Sequence, residues 1–482
     1  MKISFPKTGF LLYLSVFLLF FASCDNNNEP SDVTTVTKKV NNFIHSTFKE
    51  VYLWDKYLPS INPNKEADSF AYFDKLVYKD DKWSMLTDKI SDLQDSFYGE
   101  DTTFGYSLVI YRFSNSDTYF AVVQFVYPDS PADNAGVKRG DIIMTIDGND
   151  ITAANYLDLY YASSIKLGIG EVGSDRKLSL AKTVSLNAVK QYMNPVMISK
   201  VIEAGGKKVG YLLYTSFLLK SHRELQEAIT GFKNMGVTDV VLDLRYNGGG
   251  TAVTSQLLCS MLVNEEAFRN KSVFLQQVWN DGYMEYFKYR GEETNEYFVH
   301  EYKSQNADES VVVDNINLST IYILTGNGTA SASEATIIGL KPYLDVVLIG
   351  ETTSGKYCGG VLLEPENIGI KDSDLYDWGM YIMVYRFANK NGFPALTDVS
   401  GIAPNYYVEE DIITNPVALG EQNEPLLAKA IELITGQSGV QQSPSKTRML
   451  DRKLVPADLK IPLKPLDEKM IDTKAVVIPS AK

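Results

Sequence analysis

The sequence predicts a multidomain α/β protein, and three observations carry that prediction. A chain of 482 residues suffices for about three domains. Residues 36–98 have helical periodicity, and residues 194–436 alternate apolar strand runs with helical stripes. The formal charge is −14, with no Lys/Arg-rich run to follow a phosphate backbone, so nucleic acid is not an expected partner. The only histidines are His45, His222 and His300, and none lies in a Cys, Asp or Glu cluster at metal-ligand spacing. Neither a zinc site nor a Ser-His-Asp triad is expected, and no cofactor is required.

Taken in order, Lys2 and Lys7 precede an apolar run from Gly9 to Phe21 that is too short for a comfortable membrane span. Residues 1–23 therefore read as a signal peptide. The end of that run, Phe21-Ala22-Ser23-Cys24, resembles a bacterial lipobox, with Phe21 where Leu is usual. The resemblance implies acylation of Cys24; an ordinary cleaved signal with an incidental cysteine is the alternative. A polar tether occupies 24–35. The expectation is an exported protein held in a bacterial cell envelope by an N-terminal lipid, facing the periplasm or the cell surface. Cys259 and Cys358 then remain, and an oxidising compartment permits a bridge between them.

In 36–98, Val40, Phe43, Ile44, Phe48, Val51 and Tyr52 recur at three- and four-residue steps, the apolar stripe of a small helical N-terminal domain. His45 lies beside the stripe and reads as a boundary residue. Residues 103–190 change to short strands. There Ser130-Pro131-Ala132 through Ala135-Gly136, Gly140-Asp141-Ile142 and Ile146-Asp147-Gly148 predict a short helix stopped by Gly136, a tight turn at Gly140 and a strand from Ile142 to Ile146. This spacing resembles the signature of a PDZ domain. The resemblance implies that Gly105, Tyr106, Ser107 and Leu108 form the loop that holds a peptide's terminal carboxylate beside an exposed strand edge. A PDZ domain that merely packs against its neighbour remains the alternative.

Within 194–436, strands are expected at Val209–Tyr214, Val240–Leu244, Thr320–Leu324 and Val346–Ile349. Between them, Leu225, Ala228, Ile229, Phe232 and Met235 form a helical stripe ending at Gly236, and a helix should follow Gly248–Gly250. The tail, 437–482, is rich in Ser, Gln, Pro and Lys without sustained period and is expected to be largely unstructured.

Candidate chemistry begins at Thr325-Gly326-Asn327-Gly328-Thr329-Ala330-Ser331-Ala332-Ser333-Glu334, which joins a buried strand to a helix. A serine there sits at a helix N-terminus, where unpaired N–H groups and the positive dipole end favour an oxyanion. Ser331 to Glu334 also spells a capping box, whose role would be purely structural. Twenty-five residues on stands Gly355-Lys356, and upstream Asp243-Leu244-Arg245-Tyr246-Asn247-Gly248-Gly249-Gly250. Together these segments, with Gly401-Ile402-Ala403-Pro404-Asn405, resemble the catalytic core of the C-terminal processing (tail-specific) serine peptidase family.

That resemblance implies a ClpP/crotonase-like peptidase core beside the PDZ domain, Ser331 as nucleophile and Lys356 as general base. It also implies an oxyanion hole from Gly248 or Gly249 with Ala332, and Glu334 and Thr353 as supporting residues. A lysine serves as base only if its pKa drops from about 10.4 towards neutrality, as burial and nearby dipoles allow. One position departs from the family: where Gln or Glu often orients the lysine, this chain has Gly360. Either Ser331 and Lys356 work as a dyad or another group holds the lysine.

Two further readings compete. Gly350 to Lys356 fits the P-loop pattern G-x-x-x-x-G-K, but Tyr357-Cys358-Gly359-Gly360 is poor for the helix a P-loop requires. The stronger rival is a non-catalytic peptide- or glycan-binding lipoprotein that keeps the peptidase fold, with 30 Tyr residues available for an adhesive surface. The reading adopted is a serine endopeptidase that cuts extracytoplasmic proteins or peptides near a free C-terminus through an acyl-enzyme.

Overall fold

The computed structural model describes residues 33–97, 99–113, 116–173, 177–304, 310–413, 415–437, 454–456 and 470–472. The segment read as a signal peptide, Cys24, most of the expected tether and most of the tail lie outside the described residues. The first helix, α1 (Thr35–Val51), starts where Thr34 accepts the Thr37 N–H at 3.0 Å. Its predicted stripe of Val40, Phe43, Ile44, Phe48 and Val51 is fully buried, together with Tyr52 just beyond. That face does not enclose a core of its own, because it joins the same apolar cluster as the α/β region that follows residue 194. A short strand, β1 (Met85–Thr87), and a bond from the Leu53 N–H to the Met383 carbonyl at 2.9 Å fasten the segment there. Burying the six stripe side chains contributes roughly 2 kcal/mol each before entropy is charged against it.

The strand-rich middle region is an antiparallel sheet of β2 (Tyr106–Phe113), β3 (Tyr119–Val126), β4 (Ile142–Ile146), β5 (Ser164–Val172) and β6 (Leu178–Asn187). Ser130 caps the helical turn Pro131–Asn134, and Gly136, at φ 74°, ends it as the sequence requires. This region has a separate core built on Phe104, Leu108, Val123, Ile143, Leu167 and their neighbours.

The α/β region expected over 194–436 opens with a hairpin, β7 (Val196–Ala204) and β8 (Lys207–Tyr214), and continues through α2 (His222–Asn234) to β9 (Asp239–Asp243). Met235 caps α2 in the open, 48% exposed, so it is not part of the buried stripe. After β10 (Gly250–Thr251) come α3 (Ala252–Leu262), β11 (Val273–Trp279), β12 (Thr320–Thr325), α4 (Ala332–Leu340), β13 (Asp345–Gly350), β14 (Cys358–Leu363) and β15 (Gly379–Ala388). β16 (Tyr406–Tyr407) and α5 (Pro425–Thr435) complete it.

Strands β8, β9, β12, β13 and β16 run parallel in one six-stranded sheet, each next to its successor. Alternate residues serve opposite faces: Leu212 and Tyr214 of β8 join the core around α3 and α4, whereas Tyr211 and Leu213 pack under α5. Burial on both faces explains the uninterrupted apolar runs of these strands. A second sheet lies beyond α3 and α4, with β14, β15 and β11 at its centre and β1 paired to β15.

Two pieces of the tail are described, and both are strands where unstructured chain was expected. β17 (Leu454–Pro456) runs antiparallel to the far end of β2, and β18 (Met470–Asp472) lies between β10 and β14, parallel to both. Open sheet edges supply their hydrogen bonds, a signal that local composition does not carry.

Candidate active site

Ser331 sits in the turn from β12 to α4. All nine residues of α4 are buried, so the helix is a core element whose N-terminus points its unpaired N–H groups into the interior. The serine itself has φ 59° and ψ −111°, a conformation that L side chains adopt only under constraint. The constraint is visible. Thr329 Oγ1 donates to the Leu244 carbonyl at 2.8 Å, the Ala330 N–H to the Asn247 carbonyl at 3.2 Å, and Ser333 Oγ to the same carbonyl at 2.9 Å. Ser331 Oγ is buried and makes no hydrogen bond among the described residues.

Glu334, one helical turn on, is fully buried and accepts four hydrogen bonds. Its Oε1 takes the Thr353 hydroxyl at 2.6 Å and the Gly355 N–H at 2.7 Å. Its Oε2 takes the N–H of Ser331 and the N–H of Lys356, each at 2.9 Å. One carboxylate oxygen thus ties together the backbones of the two residues singled out as nucleophile and base. Burial raises the Glu334 carboxyl above its usual range, while these four donors act the other way. Thr353 is held in turn by its Oγ1, which accepts the Ile402 N–H at 2.8 Å. Gly401 passes so close that a Cβ would meet the Thr353 carbonyl oxygen at 1.8 Å. The Gly-Ile-Ala-Pro-Asn motif is thereby a brace for the lysine loop.

Lys356 is 0% exposed, the condition under which an ammonium loses its hydration. Its Nζ lies 5.3 Å from the Trp83 ring centre and 5.8 Å from that of Tyr381. A side chain at 360 has no room: an added Cβ would stand 2.7 Å from Tyr381 Cζ and 2.5 Å from Met383 Cε. The Tyr381 ring, the Met383 methyl and the Ile382 carbonyl oxygen therefore fill the space next to position 360. The segment after the lysine is strand β14, not the helix that a P-loop needs, which removes the nucleotide reading.

Of the expected oxyanion donors, the Gly249 N–H is already given to Asn247 Oδ1 at 2.9 Å. Gly248 and Ala332 keep N–H groups without a partner among the described residues. Asn247 is also anchored through Nδ2 to the Tyr214 carbonyl at 2.9 Å, so it shapes the turn rather than facing solvent.

The preceding Asp243-Leu244-Arg245-Tyr246 leads into a polar network. Buried Arg245 donates to Asp243 Oδ2 at 2.9 Å, Glu424 Oε1 at 2.6 Å and Glu410 Oε1 at 2.8 Å. The Tyr246 hydroxyl donates to Glu410 at 2.6 Å. From the middle domain, Arg139 reaches the Tyr246 hydroxyl and Glu410, both at 2.6 Å, and the Val417 carbonyl at 2.9 Å. Glu424 is held below the usual carboxylate range by Arg245 despite its burial, and burial with the Glu410 charge raises the Tyr246 phenol well above its own. Glu410, Glu424 and the Trp83 and Tyr381 rings had no sequence signal, since they come from distant segments.

In the middle domain, Gly105, at φ 85°, sits where a Cβ would strike Ser130 Cβ at 2.1 Å. Tyr106 is buried with its hydroxyl on the Leu159 carbonyl at 2.8 Å, and Ser107 Oγ donates to Gln124 at 2.9 Å. Leu108 continues β2 into the core. Cys259 and Cys358 are both buried free thiols, and burial pushes Cys358 up to about 12 and Cys259 higher. His45 Nδ1 meets the Tyr72 hydroxyl at 2.8 Å. Among the described residues no helix is long and apolar enough to cross a membrane.

Comparison with known proteins follows the same division. Residues 208–408 match peptidase family S41, residues 39–85 the peptidase S41 N-terminal domain, and residues 122–163 a PDZ domain. A carboxyl-terminal-processing protease of Picosynechococcus is 24% identical over 417 residues, covering 83% of this chain and 87% of that protein. The chloroplastic C-terminal processing peptidase of Tetradesmus obliquus is 24% identical over 381 residues, covering 75% and 72%. A crystal structure of a candidate S41 protease from Bacteroides fragilis is 28% identical, with a TM-score of 0.64 over 82% of this chain and 97% of that one.

Proposed function

Because the chain belongs to peptidase family S41, with its N-terminal and PDZ domains, and is a serine-type peptidase of the C-terminal processing kind, we propose that Ser331 and Lys356 form its catalytic dyad. The observation that carries this reading is the shared Glu334 oxygen, which accepts the N–H of Ser331 and of Lys356 at 2.9 Å each. In the proposed cycle, Ser331 Oγ attacks the scissile carbonyl carbon while the neutral Lys356 amine takes its proton. The oxyanion forms against the Gly248 and Ala332 N–H groups at the positive end of α4. Collapse breaks the C–N bond, the Lys356 ammonium returns the proton to the departing amine, and water releases the acyl group by the same path in reverse.

The faces of Trp83 and Tyr381 stand where the lysine becomes positive, and an aromatic face favours a cation. Substrates are extended segments of extracytoplasmic proteins with a free C-terminus, recognised in part by the loop at Gly105–Leu108. The protein is exported and anchored through acylated Cys24. The test is cleavage of an unfolded protein with an apolar C-terminus by wild type, Ser331→Ala and Lys356→Ala, each verified as folded. Loss of at least about a thousand-fold in both variants is expected. Unchanged cutting by Ser331→Ala removes the nucleophile assignment.

A further inference from the structure

Strand β18 occupies a distinctive place. In the second sheet the order is β10, β18, β14, so the chain's own residues 470–472 separate two strands that do not pair with each other. Gly250 faces Met470 and Thr251 faces Ile471 on one side; Gly360 faces Ile471 and Val361 faces Asp472 on the other. Both flanking strands begin at the chemistry. β10 starts immediately after Gly249, the turn that carries the candidate oxyanion donor, and β14 starts two residues after Lys356. Glycines stand at register positions on both walls, 250 and 360.

Without β18, β10 and β14 would present facing rows of backbone N–H and C=O groups across a slot one strand wide. Such a slot accepts an extended peptide of almost any sequence, because the main chain supplies the bonds. A substrate entering between the Gly248 turn and the Lys356 loop would pair with these same rows. It and β18 exclude one another.

We infer that the slot between β10 and β14 is the peptide-binding site of the enzyme, and that the chain's own tail around Met470–Asp472 is its resident ligand, competing with substrate from within the molecule. The inference rests on the proposed peptidase only in calling the displaced peptide a substrate. A second contact of the tail agrees with it: β17 pairs Leu454 with Phe113 and Pro456 with Tyr111, on the edge of the strand that the PDZ-like loop begins. The tail thus takes up strand edges in both regions expected to hold peptide. A segment on the same chain acts at an effective concentration on the order of 1 mM. If its intrinsic affinity is on the order of 0.1 mM, it raises the apparent KM about ten-fold and leaves kcat unchanged.

The experiment uses the full chain with Ser331→Ala, so that nothing is cleaved, and a fluorescently labelled synthetic peptide of residues 464–478. Binding is compared in this background with and without Ile471→Pro. Proline removes a backbone donor and fits poorly in a strand paired on both sides. The expected result is binding about ten-fold tighter in the Ile471→Pro chain. Hydrogen exchange should be faster at 250–251 and 360–361 in that chain and slow again when peptide is added. Equal peptide affinity in the two chains, or exchange at 250–251 and 360–361 unaffected by Ile471→Pro, overturns the inference. Absence of cleavage by the chain with Ser331 intact, together with the expected binding difference, removes the peptidase reading and leaves the tail-occupied slot standing.

Discussion

Replacing Glu334 by Gln changes one atom and should dismantle the site. The carboxylate accepts from Thr353, Gly355, Ser331 and Lys356, two donors on each oxygen, at 2.6 to 2.9 Å. A glutamine keeps one acceptor oxygen and turns the other into an NH2 group, which must face a pair of donors. If the amide oxygen stays with Thr353 and Gly355, the NH2 group opposes the N–H groups of both Ser331 and Lys356. Hydrogen bonds to a charged acceptor contribute about 1.5–3 kcal/mol each, so losing two removes about 3–6 kcal/mol. At about 1.4 kcal/mol per power of ten, that is two to four orders of magnitude in kcat/KM if the loss falls on the active geometry. The same energy appears as a lowered unfolding midpoint if the loop holds and the fold bears the strain. The assay is therefore paired: peptide cleavage and urea denaturation on the same purified variant. A Glu334→Gln enzyme within three-fold of wild-type kcat/KM and within 1 kcal/mol of its stability, each about the limit of such measurements, would refute the argument that this carboxylate holds nucleophile and base together.

Two further outcomes are expected. Trp83→Leu removes an aromatic face 5.3 Å from Lys356 Nζ, and a cation–π contact of about 0.5–2 kcal/mol corresponds to roughly a 2- to 30-fold loss in kcat/KM; Trp83→Phe should recover most of it, and equal loss in both would point to packing alone. Arg139→Ala takes from Glu410 and Tyr246 a partner at 2.6 Å, a cost of about 2–3 kcal/mol; hydrogen exchange should rise at 245–247 and 417 while β4 and β5 stay protected, and unchanged exchange at 245–247 would show that the two regions are not coupled there.

What could be read from the sequence followed the range of the interactions. Central strands such as β9 and β12 were legible because burial on both faces leaves continuous apolar runs, and α1 because a single stripe faces the core. Ser331, Glu334, Thr353 and Lys356 stood out through the family resemblance of short motifs, and the structure brings the N–H groups of Ser331 and Lys356 and the Thr353 hydroxyl to the Glu334 carboxylate. The rings beside Lys356 did not stand out. Trp83 arrives from the N-terminal segment and Tyr381 from β15, and no spacing in the chain links either to residue 356. The same holds for Glu410 and Glu424, whose value lies in meeting Arg245 across more than 160 residues. The prior commitment of the Gly249 N–H to Asn247 was hidden too, since it depends on how a three-glycine turn resolves its torsions. The apolar stripe of α1 was legible, but not that its core would be shared with the peptidase sheet.

The backbone angles at Ser331 have a consequence for descent. At φ 59° a serine is held where glycine would rest without penalty, a difference of about 1–3 kcal/mol. Any lineage of this fold relieved of the need to cut would therefore find stability by drifting to glycine at that one position, and purifying selection would no longer resist it. On the proposed reading, the strain held at Ser331 is what the chemistry costs the fold.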